Sequence, residues 1–120
     1  MANPFVHLEL ATPDLAKAKA FYGGLCGWTF DDQNMGPDMI YSLFKPDRGP
    51  AGGMYSMPGM PPGWLAYIGV DDIDQSTEKA RSLGAQVVKD VMEIPHVGWM
   101  SILVDPGGAT IALFEPMPRA

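Results

Sequence analysis

The chain has 120 residues, 47% of them hydrophobic, with 14 Gly and 12 Pro scattered rather than gathered into a low-complexity tract. A chain of this size buries roughly two-thirds of its unfolded surface in one core, which excludes a disordered protein. A formal charge of −6 with eight unclustered Lys and Arg repels phosphate backbones, and this excludes nucleic acid as an expected partner. Cys26 is the single cysteine, no basic start leads into an apolar stretch, and no window approaches 18 apolar residues. The expectation is a cytoplasmic protein with no disulfide and no membrane partner.

The pattern from residue 5 to 11 alternates, Val6, Leu8 and Leu10 on one side and Phe5, His7, Glu9 and Ala11 on the other, which predicts a strand with two unlike faces. Thr12-Pro13-Asp14 reads as a helix start, with Thr12 as the cap, Pro13 as the first helical residue and Asp14 near the positive end of the dipole. Leu15, Ala18, Tyr22 and Leu25 recur at helical spacing, and Gly23-Gly24 suggests a left-handed end. Short strands are predicted at 28–30 and 40–44. A turn at 45–50 then leads into a Gly-rich stretch whose residues 52–55 form a further strand.

Residues 57–63 hold three Pro and two Gly, so they cannot continue a helix or a central strand and read as a linker. After them the order repeats. A strand is predicted at 65–70, a helix opened by the capping-box pattern Asp72-Ile73-Asp74-Gln75 and closed by Gly84, and a strand at 86–91. Strands at 100–104 and 110–114 then form a hairpin around Asp105-Pro106-Gly107-Gly108. A shift of 58 lays Asp14-Leu15 on Asp72-Ile73 and Leu25 on Leu83. The predicted fold is α+β in a single domain over 1–120, built from two βαβββ modules at about 4–57 and 64–116. They form curved mixed sheets with helices on the outer face and a polar-dotted inner face.

Three strings carry a resemblance to a known family: VHLELATPDLAKAKAFYGGLCGW, YIGVDDIDQSTEKARSLGAQV and LVDPGGATIALFEP. Together they resemble the vicinal oxygen chelate superfamily of glyoxalases, bleomycin-resistance proteins and extradiol dioxygenases, and within it the glyoxalase-like domains. The resemblance implies two βαβββ modules around a cupped site, and in metal-dependent members four ligands drawn from strands of both modules. His7 matches the first ligand position. The second falls at or beside Leu65, preceded by Trp64, the final carboxylate position falls on Ala112, and the 52–55 strand has no His, Glu or Gln. The resemblance therefore implies no cofactor and no metal ligands here, because an open catalytic site needs about three protein donors. A site from His7, Glu9 and His96 is the one metal arrangement the residues leave open, without precedent in the family.

His7 and Glu9 read either as a mutually bonded structural pair or as a ligand-binding or acid–base pair, since residues two apart on a strand share a face. Tyr67 shares the parity of Leu65 and joins them as a candidate ligand contact. Met54, with Met57 and Met60, offers adaptable apolar surface, though Met is also a core filler. His96 and Trp99 flank a loop expected at a cavity mouth, and an exposed aromatic at a dimer contact is the alternative for Trp99. Cys26 reads as inert.

Three readings of function remain. One is a glyoxalase-like protein that binds or transforms a small, partly apolar metabolite or antibiotic without the usual metal centre. The others are a divalent-metal lyase or dioxygenase and a noncatalytic interaction domain. Whether the protein is an enzyme is left open by the residues. A homodimer is expected, because two-module members of the family commonly pair chains.

Overall fold

Asp14 and Asp72 each start a helix. A computed structural model describes every residue except Met1, Asp38, Met57, Pro58, Met60, Arg119 and Ala120, so the sequence expectations for Met57 and Met60 lie outside the described residues. In chain order the elements are β1 (Phe5–Ala11), α1 (Leu15–Cys26), β2 (Phe30–Asn34), β3 (Ile40–Phe44), β4 (Ala51–Tyr55), β5 (Gly63–Gly69), α2 (Ile73–Ser82), β6 (Gln86–Ile94), β7 (Gly98–Val104) and β8 (Thr110–Pro116). This is the βαβββ order twice, in an α+β fold. Among the described residues no helix is long and apolar enough to cross a membrane.

The helix starts explain the internal repeat. The carboxylate of Asp14 accepts from Lys17 N at 3.1 Å and that of Asp72 accepts from Gln75 N at 3.1 Å, each satisfying an N–H that the first turn leaves unpaired. The pair Asp-Leu or Asp-Ile that recurs at a shift of 58 is therefore a cap followed by the first helical residue. This corrects the expectation for Thr12, whose hydroxyl instead accepts from Asp14 N at 3.3 Å, one turn ahead of the helix. The far end of α1 also differs. Gly23 and Gly24 stay inside the helix, and Gly27, at φ 72°, takes the left-handed cap.

The chain divides into two compact units, one of His7–Trp64 and one of Met1–Val6 with Leu65–Ala120. In the first, the strands run in the order β2-β3-β4-β1, with β1 parallel to β4 and the other neighbours antiparallel. Leu10, Phe44 and Met54 form the buried core on one face, and Leu15, Ala18 and Tyr22 of α1 pack on it. Leu25, read in sequence as part of that stripe, is exposed. Trp28 is not in a strand. Its ring stacks 4.2 Å from Phe44 and 5.4 Å from Tyr22, and the strand begins at Phe30. Strand β2 continues as Asp31, Asp32, Gln33 and Asn34, all exposed, so no apolar alternation announced it. Lys19 of α1 holds it in place, donating to both Asp32 oxygens at 2.9 Å, while Ser42 donates to the same carboxylate at 2.5 Å.

In the second unit the order is β5-β8-β7-β6, again with one parallel pair, β5 with β8. Val70, Ile73, Leu103 and Leu113 pack between this sheet and α2. Two polar links lie in the same layer: Thr77 Oγ1 and Ser101 Oγ are 2.9 Å apart, and the buried Glu115 accepts from Ile73 N at 2.9 Å. On the opposite face Tyr67, Met100 and Ala112 form a second cluster with Leu65, Ile94, Ile102 and Phe114. The turn after β7 follows the sequence reading: Asp105 accepts from Gly107 N and Ala109 N, at 2.9 and 3.0 Å.

Candidate functional site

Strand parity and register decide what faces what in the first unit. Leu10 belongs to the core beneath α1, so His7 and Glu9 project from the other face of β1. The register aligns Glu9 with Gly53 of β4 and Gly53 with Leu43 of β3, which puts Tyr41, two residues back along β3, on this same face. The Tyr41 ring crosses over Gly53, where a Cβ would overlap it, and its hydroxyl ends between the two β1 side chains. Tyr41 Oη donates to Glu9 Oε1 at 2.9 Å and lies 2.7 Å from His7 Nε2. Tyr55 of β4 stacks beside it, ring centres 6.1 Å apart.

This geometry assigns the histidine tautomer. Tyr41 has one hydroxyl proton, and an ionised carboxylate can only accept. If that proton pointed at His7, oxygen lone pairs would face each other across the 2.9 Å gap to Glu9. The proton therefore lies toward Glu9, His7 Nε2 carries a proton and donates to the tyrosine oxygen, and the ring's basic lone pair is on Nδ1. Burial pushes the His7 pKa below its ordinary value, against an opposing pull from the Glu9 charge, so the neutral ring is favoured. Burial, and secondarily the same charge, pushes the Tyr55 phenol up and keeps it protonated.

His7 also lines an open depression of about 410 Å³, within the roughly 300–1,000 Å³ typical of ligand clefts. Phe30, Leu43 and Phe44 give it apolar wall, while Asp31 and Lys45 bring one charge of each sign.

Of the residues singled out from sequence, His7 and Glu9 come together, joined through Tyr41 rather than to each other. Met54 is fully buried in the core beneath α1, on the face away from them. Tyr67 is buried in the second unit, its hydroxyl 3.9 Å from Met100 Sδ. Trp99 packs in the layer beneath α2 rather than with Tyr67. His96 sits on the exposed turn between β6 and β7, in a left-handed conformation at φ 67°. Tyr41 and Gly53 escaped the sequence reading. Parity along 40–44 could have set Tyr41 opposite Phe44, but nothing local says that a glycine lies beneath its ring.

The two modules repeat this geometry with different chemistry. Tyr67 aligns with Ala112 and Ala112 with Ile102, as Glu9 aligns with Gly53 and Gly53 with Leu43. Met100 thus stands where Tyr41 stands, and the Tyr67–Met100 contact is the apolar counterpart of the Glu9–Tyr41 hydrogen bond.

A divalent ion does not suit these residues. The side chains of Leu65 and Ala112 have no donor atoms, residues 52–55 hold no His, Glu or Gln, and among the described residues no three His, Cys, Asp or Glu side chains gather.

Two mixed βαβββ modules, one with a polar cluster on its helix-free face, define a class of fold and site, and comparison with known proteins gives it a family. The model of the Glyoxalase/Bleomycin resistance protein/Dioxygenase superfamily matches residues 5–113, and the chain belongs to that superfamily. It is similar to CFP32 of Mycobacterium tuberculosis, which bears the name of a glyoxylase, at 36% identity over 90% of this chain and 44% of that protein. It is 30% identical to the anthracycline biosynthesis protein DnrV of Streptomyces peucetius, over 89% of this chain and 45% of that protein. The chain thus spans less than half the length of these relatives. Among solved structures, methylmalonyl-CoA epimerase from Mycobacterium tuberculosis superposes with a TM-score of 0.73 at 20% identity, covering 96% of this chain and 89% of that one. The hypothetical protein BH1468 of Bacillus halodurans superposes with a TM-score of 0.75 at 14% identity, covering 100% and 99%. These two likenesses are of fold.

Proposed function

We propose that this protein binds a small, partly apolar molecule in the depression that His7 lines in its first module, without a metal centre. The observation that carries this reading is the Tyr41 hydroxyl held between His7 and Glu9, a part-buried polar cluster beside a depression with aromatic walls. The name of the relative from Streptomyces peucetius supports an aromatic, oxygen-bearing ligand. We also propose a cytoplasmic location, which the lone Cys26 supports, and a dimer of identical chains, which the pairing common among two-module relatives supports.

The test is a titration of the folded protein with anthracycline aglycones and smaller aromatic ketones, followed by quenching of its tryptophans. Saturable quenching is expected, weakened at least about tenfold by His7→Ala, the loss of one polar contact to a bound ligand. If no member of the series saturates, or if His7→Ala leaves the affinity unchanged, the reading fails.

A further inference from the structure

We propose that the depression beside His7 takes a small aromatic zwitterion, its ammonium group against Asp31 and its carboxylate against Lys45. The proposal rests on the binding reading above and names the class of ligand. Strand pairing sets the spacing. Asp31 of β2 stands directly opposite Leu43 of β3. Lys45 follows Leu43 by two residues, one step past the end of β3, so it lies diagonal to Asp31 at about 7–8 Å, backbone to backbone. All three line the depression. Leu43 is 37% exposed and borders both charges, which offers a ligand an apolar surface and two opposite charges within the length of one small molecule. Phe30, Phe44 and Ala51 extend the apolar wall.

Both charges are available. Lys45 and Asp31 are near enough to join, yet among the described residues Lys45 has no hydrogen bond or ion pair. Asp31 Oδ2 accepts from Gln33 Nε2 at 2.9 Å, and among the described residues Oδ1 has no partner. The unmade pair costs the free protein little, because both residues are exposed and water solvates them. A zwitterion replaces that water with two attractive contacts. A ligand with only an ammonium gains Asp31 but meets Lys45 as a like charge, and one with only a carboxylate gains Lys45 but meets Asp31. His7, the other titratable lining residue, is favoured as a neutral ring and leaves this balance intact. The chain's formal charge of −6 also repels a free anion at long range, and a ligand neutral overall escapes that repulsion.

The test is a chemical-shift titration of the isotope-labelled protein at low salt with four probes that share a phenyl ring: phenylalanine, hydrocinnamate, phenethylamine and the uncharged hydrocinnamamide. Phenylalanine should shift the amides of Asp31, Leu43 and Ala51 saturably and bind at least about threefold tighter than each of the others, the ratio that exposed ion pairs supply. Raising the salt concentration should narrow that ratio. Lys45→Met should abolish the preference over phenethylamine, which lacks the carboxylate. Asp31→Asn should abolish the preference over hydrocinnamate, which lacks the ammonium. Both positions are exposed, and circular dichroism confirms that the variants fold. Equal or tighter binding of the amide or of either single-charge probe overturns the zwitterion and leaves the binding reading standing. A preference that survives either substitution, or shifts confined to residues outside the depression, overturns the pairing with Asp31 and Lys45. If none of the four binds while an aromatic ketone of the earlier series does, the ligand class alone fails. If neither series binds, the binding reading fails with it.

Discussion

Tyr41 reaches His7 and Glu9 because residue 53 is glycine: the tyrosine ring lies where a Cβ on Gly53 would stand. Gly53→Ala must therefore push the ring off the sheet. The expected outcome is a loss of about 1–3 kcal/mol, the usual cost of overpacking, read as a lower urea midpoint. The His7 imidazole resonances should change in the same variant, because the Nε2 hydrogen bond is broken. A stable Gly53→Ala protein with an unchanged imidazole spectrum would contradict the bridge.

Tyr41→Phe keeps the ring and removes only the hydroxyl, so its effect isolates the two hydrogen bonds. Part-buried His7 and Glu9 each lose a partner, with an expected cost of about 1–3 kcal/mol, measured by chemical denaturation. Met100, at the matching position of the second module, carries no such bridge. Met100→Leu is a volume-conserving change expected to cost less than about 1.5 kcal/mol.

Stability should also fall on mild acidification, with a sign that follows from His7. Its pKa is lowered in the folded protein by burial, so the unfolded chain, near the ordinary value of about 6.5, binds a proton that the folded chain does not. The contribution of this group is complete above about pH 6.5 and is lost as the pH falls through the window between that value and the lower folded one. Asp32, held down first by the Ser42 hydroxyl and then by Lys19, acts in the same direction, but only at and below the ordinary carboxylate range near 3.9. Urea midpoints measured across pH 5–8 should decline below about 6.5 in the native protein and decline less in His7→Gln. Equal pH dependence in the two would assign the effect elsewhere.

Protein purified without chelators or a polyhistidine tag should carry well under one equivalent of zinc, nickel, iron or manganese. The reason is chemical: the positions of the other family ligands hold Leu65 and Ala112, and one imidazole falls short of the roughly three protein donors that an open site needs. Elemental analysis settles the matter, and one equivalent of metal that disappears in His7→Ala would refute the expectation.

A dimer of identical chains is expected in solution, and Phe21 and Leu25, large apolar side chains exposed on α1, are the kind of surface such pairing covers. Light scattering at micromolar concentration should report twice the 13.0 kDa of one chain. A single-chain mass that does not change on concentration would reject the dimer.

Much of this protein is written in short-range pattern. Alternation in residues 5–11 assigns His7 and Glu9 to one face, because successive side chains on a strand point in opposite directions whatever lies next to it. The aspartate caps recur because every helix start leaves N–H groups to satisfy, and three strings of residues suffice to show the family. Pattern fails where the deciding fact is a neighbour distant in sequence. Strand β2 is polar and exposed, so it exists through its pairing with β3 rather than through its own hydrophobicity. Met54 and Trp99 sit on core faces that only the packing of the helices reveals. The bridge itself joins side chains 32 and 34 residues apart over a glycine on a third strand. The sequence by itself determined the order of elements in the modules, the Asp72 start of the second helix and the face on which His7 and Glu9 stand. The register of β3 on β4 and β4 on β1, a product of long-range pairing, decided that a tyrosine hydroxyl joins them.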